Sequence, residues 1–361
     1  MPPPAAHDTI GLDLHKRETQ LCVLGPDGSV AERRIATTRP QFTAVFGDRP
    51  PARVLLEAST ESAWVARHLE ALGHEVVVAD PGCAPMYTTR SRRVRTDRRD
   101  ARTLAEACRL GAYRPAHRLS QAQRHVRAEL AVRDALVRTR TRFVAVLKSL
   151  VRRGGLRLTA GDAERAAAKF AGLDATGAVS DALRAEVAPL LAVLAPLDEQ
   201  IAAADRKLAA VAADDPRIRR LMTAPGVGPV TAVAFVATLD DVGRFQDAHQ
   251  VMAYLGLVPS EKSSGERQHR GRITKAGSPR VRWLLVEAAW RILRSLRSRD
   301  PDAAPLQAWA GRVALRRGRR VAVVALARRL AGILYVMWRD GADDGADDGP
   351  ARVRTREVVS A

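Results

Sequence analysis

The first eighty residues alternate strand and helix signals in an order that few folds share, and that order constrains the chain more than its composition does. Thr9-Ile-Gly-Leu-Asp-Leu, Thr19-Gln-Leu-Cys-Val-Leu and the run 29–36 are short β-type segments. Gly25-Pro-Asp-Gly between the second and third has the composition of a hairpin turn. The apolar strand Arg53-Val-Leu-Leu-Glu57 follows, then a helix over about Glu61 to Leu72 closed by Gly73, then the strand Glu75-Val-Val-Val-Ala-Asp80. A three-strand meander followed by strand, helix, strand and helix predicts an α/β domain over residues 1–118.

From about Leu119 the pattern changes to long helices. Val126, Leu130, Val137, Phe143, Val146, Leu147 and Leu150 form an apolar stripe, and basic residues from Arg124 to Arg153 cover the remainder until Gly154-Gly155. Leu190, Leu194, Leu197, Ile201, Ala204, Leu208 and Val211 step by fours and threes, a coiled-coil seam. Pro189 and Pro196 fall within it, which predicts a kinked or later start. Residues 119–215 therefore read as an antiparallel helical hairpin or a dimerising coiled coil. A further, mainly helical domain is expected over 216–340, and the Gly-Ala-Asp-Asp repeat over 341–361 reads as a disordered tail.

Lys and Arg outnumber Asp and Glu by 59 to 40, a formal net charge of +19. Such an excess points to a polyanionic partner, nucleic acid above all, and the basic helix from Arg124 to Arg153 would hold an RNA or DNA backbone. Cys22, Cys83 and Cys108 are isolated thiols, which argues against a disulfide framework and suits a reducing cytoplasm. The start of the chain lacks a secretory pattern, and the apolar run Val321 to Trp338 is broken by Arg328 and Arg329, so it reads as a packed helix and not a membrane span.

Four acids carry the strongest chemical signal. Asp13 lies at the end of the first strand and Glu57 ends the fourth, while Asp97 and Asp100 open a helix three residues apart, on one face. The element order matches a ribonuclease-H-like sheet, in which strands one and four end side by side. Four carboxylates brought together repel one another and need cations; two Mg²⁺ ions roughly 3.5–4 Å apart would also clamp a scissile phosphate. Taken singly, each acid is equally a helix-start or strand-end residue.

The segment Ala224-Pro-Gly-Val-Gly-Pro229 resembles a helix-hairpin-helix turn, in which Gly226 and Gly228 would let backbone N–H groups approach a phosphate. Farther on, Ser263 and Ser264 sit in a polar stretch crowded with Lys262, Arg267, His269, Arg270, Arg272 and Lys275, a phosphate-binding composition. A serine hydroxyl there could attack a phosphodiester. Spacing does not choose between the two serines.

Ile10-Gly-Leu-Asp-Leu-His-Lys16, Leu56-Glu-Ala-Ser59, Thr96-Asp-Arg-Arg-Asp-Ala101, Pro225-Gly-Val-Gly-Pro229 and the long run from Tyr254 to Glu287 occur in the order that resembles the insertion-sequence-110 family of transposases, over residues 8 to 338. The resemblance implies a RuvC-like domain whose Asp-Glu-Asp-Asp set is Asp13, Glu57, Asp97 and Asp100, holding Mg²⁺. It implies a second domain whose serine, here Ser264, forms a covalent phosphoserine bond with DNA. It also implies a structured guide RNA, cooperation between protomers in a dimer or tetramer joined by the coiled coil, and action at the cytoplasmic nucleoid. The family's usual glycine shortly after the glutamate is absent, since Ala-Ser-Thr-Glu-Ser follows Glu57. The rival readings are a hydrolytic nuclease or junction resolvase, where water attacks and the serine is incidental, and a catalytically silent nucleic-acid-binding protein.

Overall fold

The computed structural model describes residues 7–83, 96–159, 161, 163–264, 267–294 and 303–343. The chain divides into two compact units, one running through Leu119 and the other from Ser120.

The first unit contains β1 (Thr9–Leu14), β2 (Glu18–Leu24), β3 (Val30–Ala36), α1 (Arg39–Phe46), β4 (Arg53–Glu57), α2 (Ser62–Ala71), β5 (Glu75–Ala79) and α3 (Asp97–Leu110). The strands form one mixed sheet in the order β3-β2-β1-β4-β5. The meander β1-β2-β3 is antiparallel, whereas β4 runs parallel to both β1 and β5. To lie parallel to β1, β4 must be reached by a crossover, and α1 lies on that path. The sequence reading passed over α1. Its signals are Pro40 in the first turn and Phe42 and Phe46 one turn apart, too brief a pattern for periodicity to register.

Alternation along the strands sorts the side chains onto two faces. Ile10, Leu12, Leu21, Val23, Val54, Leu56 and Val78 share a core with Phe42, Phe46, Val65 and Leu69, so α1 and α2 cover that face. Leu55 and Ala79 pack with Leu104, Ala107 and Cys108, and Cys22 and Leu24 pack with Ala101 and Ala105, so α3 covers the other. Asp13 and Glu57 are each two residues beyond α3-facing positions, Gly11 and Leu55, and are therefore directed to the same side.

The second unit contains α4 (Gln121–Arg153), α5 (Ala166–Asp174), α6 (Asp181–Asp214), α7 (Pro216–Met222), α8 (Pro229–Leu239), α9 (Ala248–Tyr254), β6 (Pro259–Ser264), β7 (Arg267–Ile273), α10 (Pro279–Arg294), α11 (Ala303–Arg317) and α12 (Arg319–Asp343). Helices α4 and α6 form an antiparallel hairpin: Arg133 pairs with Asp205, Arg140 with Asp198 at 3.0 Å, and Arg153 with Glu186 at 3.7 Å. Val144, Leu147, Val151, Val187 and Leu194 form the core at its tip, together with Phe170. Ser120 and Ser180 start the two helices by accepting hydrogen bonds from the N–H groups of Gln123 and Leu183.

Three expectations are corrected here. Helix α6 runs unbroken through Pro189 and Pro196 and begins at Asp181, because both proline rings lie on its exposed side and the hairpin seam holds the helix together. Arg133 and Arg140 of the basic helix turn inward to acids on α6 and are not free for phosphates. The polar serine stretch, to which the sequence assigned no element, is a β-hairpin. The last helix continues three residues into the Gly-Ala-Asp-Asp repeat, to Asp343, and the rest of that tail lies outside the described residues.

A second, larger core surrounds α8, which is buried from Thr231 to Leu239 and packs against α4, α6, α7 and α10. Helix α12 contributes Val323, Leu326, Leu330, Leu334 and Trp338 to it. By length and composition α6 and α12 could each cross a membrane; here the apolar window of α12 is mostly buried, and the seam of α6 rests on α4.

Candidate functional site

The carboxylate cluster is assembled by two adjacent parallel strands and one helix start. Leu12 on β1 pairs in register with Leu56 on β4, so the next residues, Asp13 and Glu57, stand side by side on the α3 face. Gly11 makes the third contribution possible. A methyl group on Gly11 would overlap the carbonyl oxygen of Ala101 and the backbone nitrogen of Ala105, so α3 rests directly on the β1 backbone. That contact brings the first turn of α3, with Asp97 and Asp100, to the end of β1. Thr96 caps the helix by accepting from the Arg99 N–H at 3.3 Å, and two acids in the first turn suit the positive end of the helix dipole.

The electrostatics show how close these groups are. Asp13, whose side chain is only 19% exposed, has its carboxyl pushed up to about 6 from an ordinary 3.8. Burial is the main cause, opposed by His15 and reinforced by the charges of Asp100, Asp97 and Glu57. Asp13 therefore feels the charges of the other three acids picked out in the sequence. His15, which sequence reasoning did not select, joins them: its Nε2 lies 3.3 Å from Asp13 Oδ2 and 3.5 Å from Asp97 Oδ1. The signal for it was the spacing Asp-Leu-His, which returns to the same side of an extended chain after two residues. Arg34 also reaches Asp97, at 3.8 Å, while bonding to Glu18. Ligating atoms of Asp13, His15 and Asp97 lie within 4.8 Å of one another, a donor set suited to a divalent cation.

In the second unit, Ser263 and Ser264 end β6 and Arg267 opens β7. Ser264 is paired with Arg267 and Ser263 with Gln268, which puts the serines at the closed end of a hairpin. Arg270 lies on β7 opposite Glu261. Arg272 and Lys275 are exposed, and Lys275 has a left-handed backbone (φ 58°) held by a hydrogen bond from its N–H to the Gly256 carbonyl at 3.0 Å. The Ala224-to-Pro229 turn joins α7 to α8. Gly226 has φ 73°, and a Cβ there would sit 2.8 Å from the Ala288 carbonyl of α10, so this glycine accommodates the chain's own helix. Gly228, at the start of α8, faces open space.

Residues 218–304 match the model of the transposase IS116/IS110/IS902 family, and residues 10–154 match a transposase model of the DEDD type of the IS110 group. A probable family 20 transposase of Pseudomonas aeruginosa is 32% identical over 344 residues, which is 91% of this chain and 96% of that protein. The transposase for insertion sequence element IS1111A of Coxiella burnetii is 28% identical, covering 91% of this chain and 88% of its own. That for IS1328 of Yersinia enterocolitica is 27% identical, covering 92% and 97%. The DEDD-type match covers the carboxylate unit and continues through α4, and the other falls on the serine hairpin with its surrounding helices. The chain thus belongs to the IS110 family of insertion-sequence transposases, enzymes that cut and join DNA.

Proposed function

We propose that this transposase moves its element by serine recombination: the ribonuclease-H-like (RuvC-like) unit holds Mg²⁺ on Asp13, Glu57, Asp97 and Asp100, and Ser264 attacks the DNA. The observation that carries the reading is the meeting of Asp13 and Glu57 on the α3 side of two parallel strands, where burial, reinforced by the charges of Asp100, Asp97 and Glu57, raises the affinity of Asp13 for a proton. A site that disfavours its own ionised carboxylate in this way favours a cation. Strand order β3-β2-β1-β4-β5 supports the fold assignment.

Bound at the cluster, Mg²⁺ would neutralise the acids and polarise the scissile phosphate. The chain's own residues do the rest. The Ser264 hydroxyl forms a bond to phosphorus, the bond from phosphorus to the neighbouring sugar oxygen breaks, and that oxygen leaves as a hydroxyl, the proton lost by the serine balancing the one it takes up. The resulting ester keeps the bond energy for rejoining. Arg267, Arg270, Arg272 and Lys275 would hold the phosphates beside it, with the open backbone at Gly228 a further contact; Gly226 serves the packing of α10 instead. The exposed cations of α4, Arg127, Arg138, Arg142, Lys148 and Arg152, are available to a nucleic-acid backbone, which fits a guide RNA as well as DNA. A dimer or tetramer would bring the serine of one protomer to the carboxylates of another.

The test is trapping. The protein is incubated with Mg²⁺, DNA carrying the element's junction and RNA from the flanking non-coding strip, and denaturation-resistant protein–DNA adducts are mapped. An adduct at Ser264 that is lost in Ser264→Ala and kept in Ser263→Ala is expected. Cleaved DNA without any adduct would assign the attack to water.

A further inference from the structure

We propose that His15 is a nitrogen ligand of the cation at the carboxylate cluster, and that it makes the centre prefer Mn²⁺ over Mg²⁺. The inference rests on the reading of that cluster as a metal centre.

Geometry is the first ground. Octahedral ligands about 2.1 Å from an ion are roughly 3 Å from their neighbours along an edge. The His15 Nε2 distances to Asp13 Oδ2 and Asp97 Oδ1, 3.3 and 3.5 Å, are close to that edge length. Both exceed the usual range for a charge-assisted hydrogen bond, so the imidazole faces both acids without being locked onto either. It is His15, and no other histidine among the described residues, that meets two carboxylates within ligand range.

The backbone under His15 is held as a ligand position needs to be. Its N–H donates to the Glu18 carbonyl at 3.1 Å, closing the turn between β1 and β2. Its carbonyl accepts from the Thr37 hydroxyl at 2.8 Å, and Thr37 in turn shares a hydrogen bond with the buried Thr19 hydroxyl at 2.8 Å. Two buried threonines, one on β2 and one just past the end of β3, thus fix the Cα of a side chain that is itself 54% exposed and open toward the cluster.

Chemistry supplies the preference. Four carboxylates already repel one another, and a neutral imidazole adds a donor without adding charge. Mg²⁺ is hard and gives up water reluctantly, whereas Mn²⁺ accepts an imidazole nitrogen more readily.

The full chain loaded with Mn²⁺ is examined by pulsed electron paramagnetic resonance, beside His15→Gln and Asp13→Asn. Expected is ¹⁴N modulation from a directly bound nitrogen in the parent protein that disappears in His15→Gln. Mn²⁺ affinity should fall roughly tenfold or more in that variant, with a smaller change for Mg²⁺ in competition. Labelling the unmodified protein with ¹⁵N-histidine should shift the modulation to the ¹⁵N frequency, which needs no variant to fold. Mn²⁺ bound in an Asp13-dependent way with no histidine nitrogen coupling would overturn the ligand role and leave the metal centre intact. Absence of any Asp13-dependent Mn²⁺ binding would overturn both.

Discussion

Gly11 on β1 and Ala101 on α3 touch backbone to backbone: the space that a side chain on Gly11 would fill is taken by the Ala101 carbonyl. Ala105, one turn farther along the helix, meets the same glycine, so a single residue without a side chain seats the helix that carries two of the four acids. Gly11→Ala should force α3 off the sheet, lowering stability by about 1–3 kcal/mol in urea unfolding and weakening divalent-cation binding at the same time. Unchanged cation affinity in a destabilised Gly11→Ala protein would show that the seat and the site are independent.

The raised affinity of Asp13 for a proton sets a pH dependence. Burial pushes its carboxyl up to about 6 in the folded protein from an ordinary 3.8. Its contribution to stability is therefore full below about pH 4 and is lost as the pH rises through about 6, amounting to ~3 kcal/mol at most. Without metal, the difference in melting temperature between Asp13→Asn and the parent should widen in favour of the variant from pH 4 to pH 7. A divalent cation should raise the parent's melting temperature more at pH 7.5 than at pH 5 and leave Asp13→Asn unmoved. Equal cation effects at both pH values would take Asp13 out of the centre.

Glu57 ends its strand with a half-buried side chain, so replacing it with the isosteric amide removes charge with little change in shape. Glu57→Gln should melt within a few degrees of the parent and cleave junction DNA on the order of 10³-fold more slowly, the scale expected for losing a metal-binding carboxylate. Cleavage at the parent rate, measured under single turnover, would mean that this acid is a turn residue only.

In the α4–α6 hairpin, Arg140 is buried and bonds to Asp198 at 3.0 Å, with Glu164 3.7 Å away. Arg140→Ala leaves Asp198 without its partner and should cost about 3 kcal/mol, whereas Arg140→Ala with Asp198→Ala should recover part of the loss. A double-mutant cycle in denaturant measures the coupling. Additive losses would show that packing of the arginine stem, and not the ion pair, holds the hairpin.

The sequence alone determined the features that repeat at short range. Strand alternation, the turn at Gly25 to Gly28 and the heptad-like seam of α6 are local patterns, and each persists in the structure because backbone geometry sets its period. The four acids were legible for the same reason: each stands at the start or end of an element whose limits the sequence marks. Tertiary structure decided the rest. Which acids share a face followed from the parallel β1–β4 register, which pairs residues more than forty positions apart and leaves no local trace. His15 meets Asp13 by local spacing, but it meets Asp97 as well only because α3 comes to lie over β1, and that depends on Gly11 having no side chain. The fate of the basic helix was likewise nonlocal: Arg133 and Arg140 look like solvent-facing cations until α6 folds back and offers them Asp205 and Asp198. Local propensity fixes what each segment becomes, but charge pairing and close approach depend on which distant segment the core brings alongside.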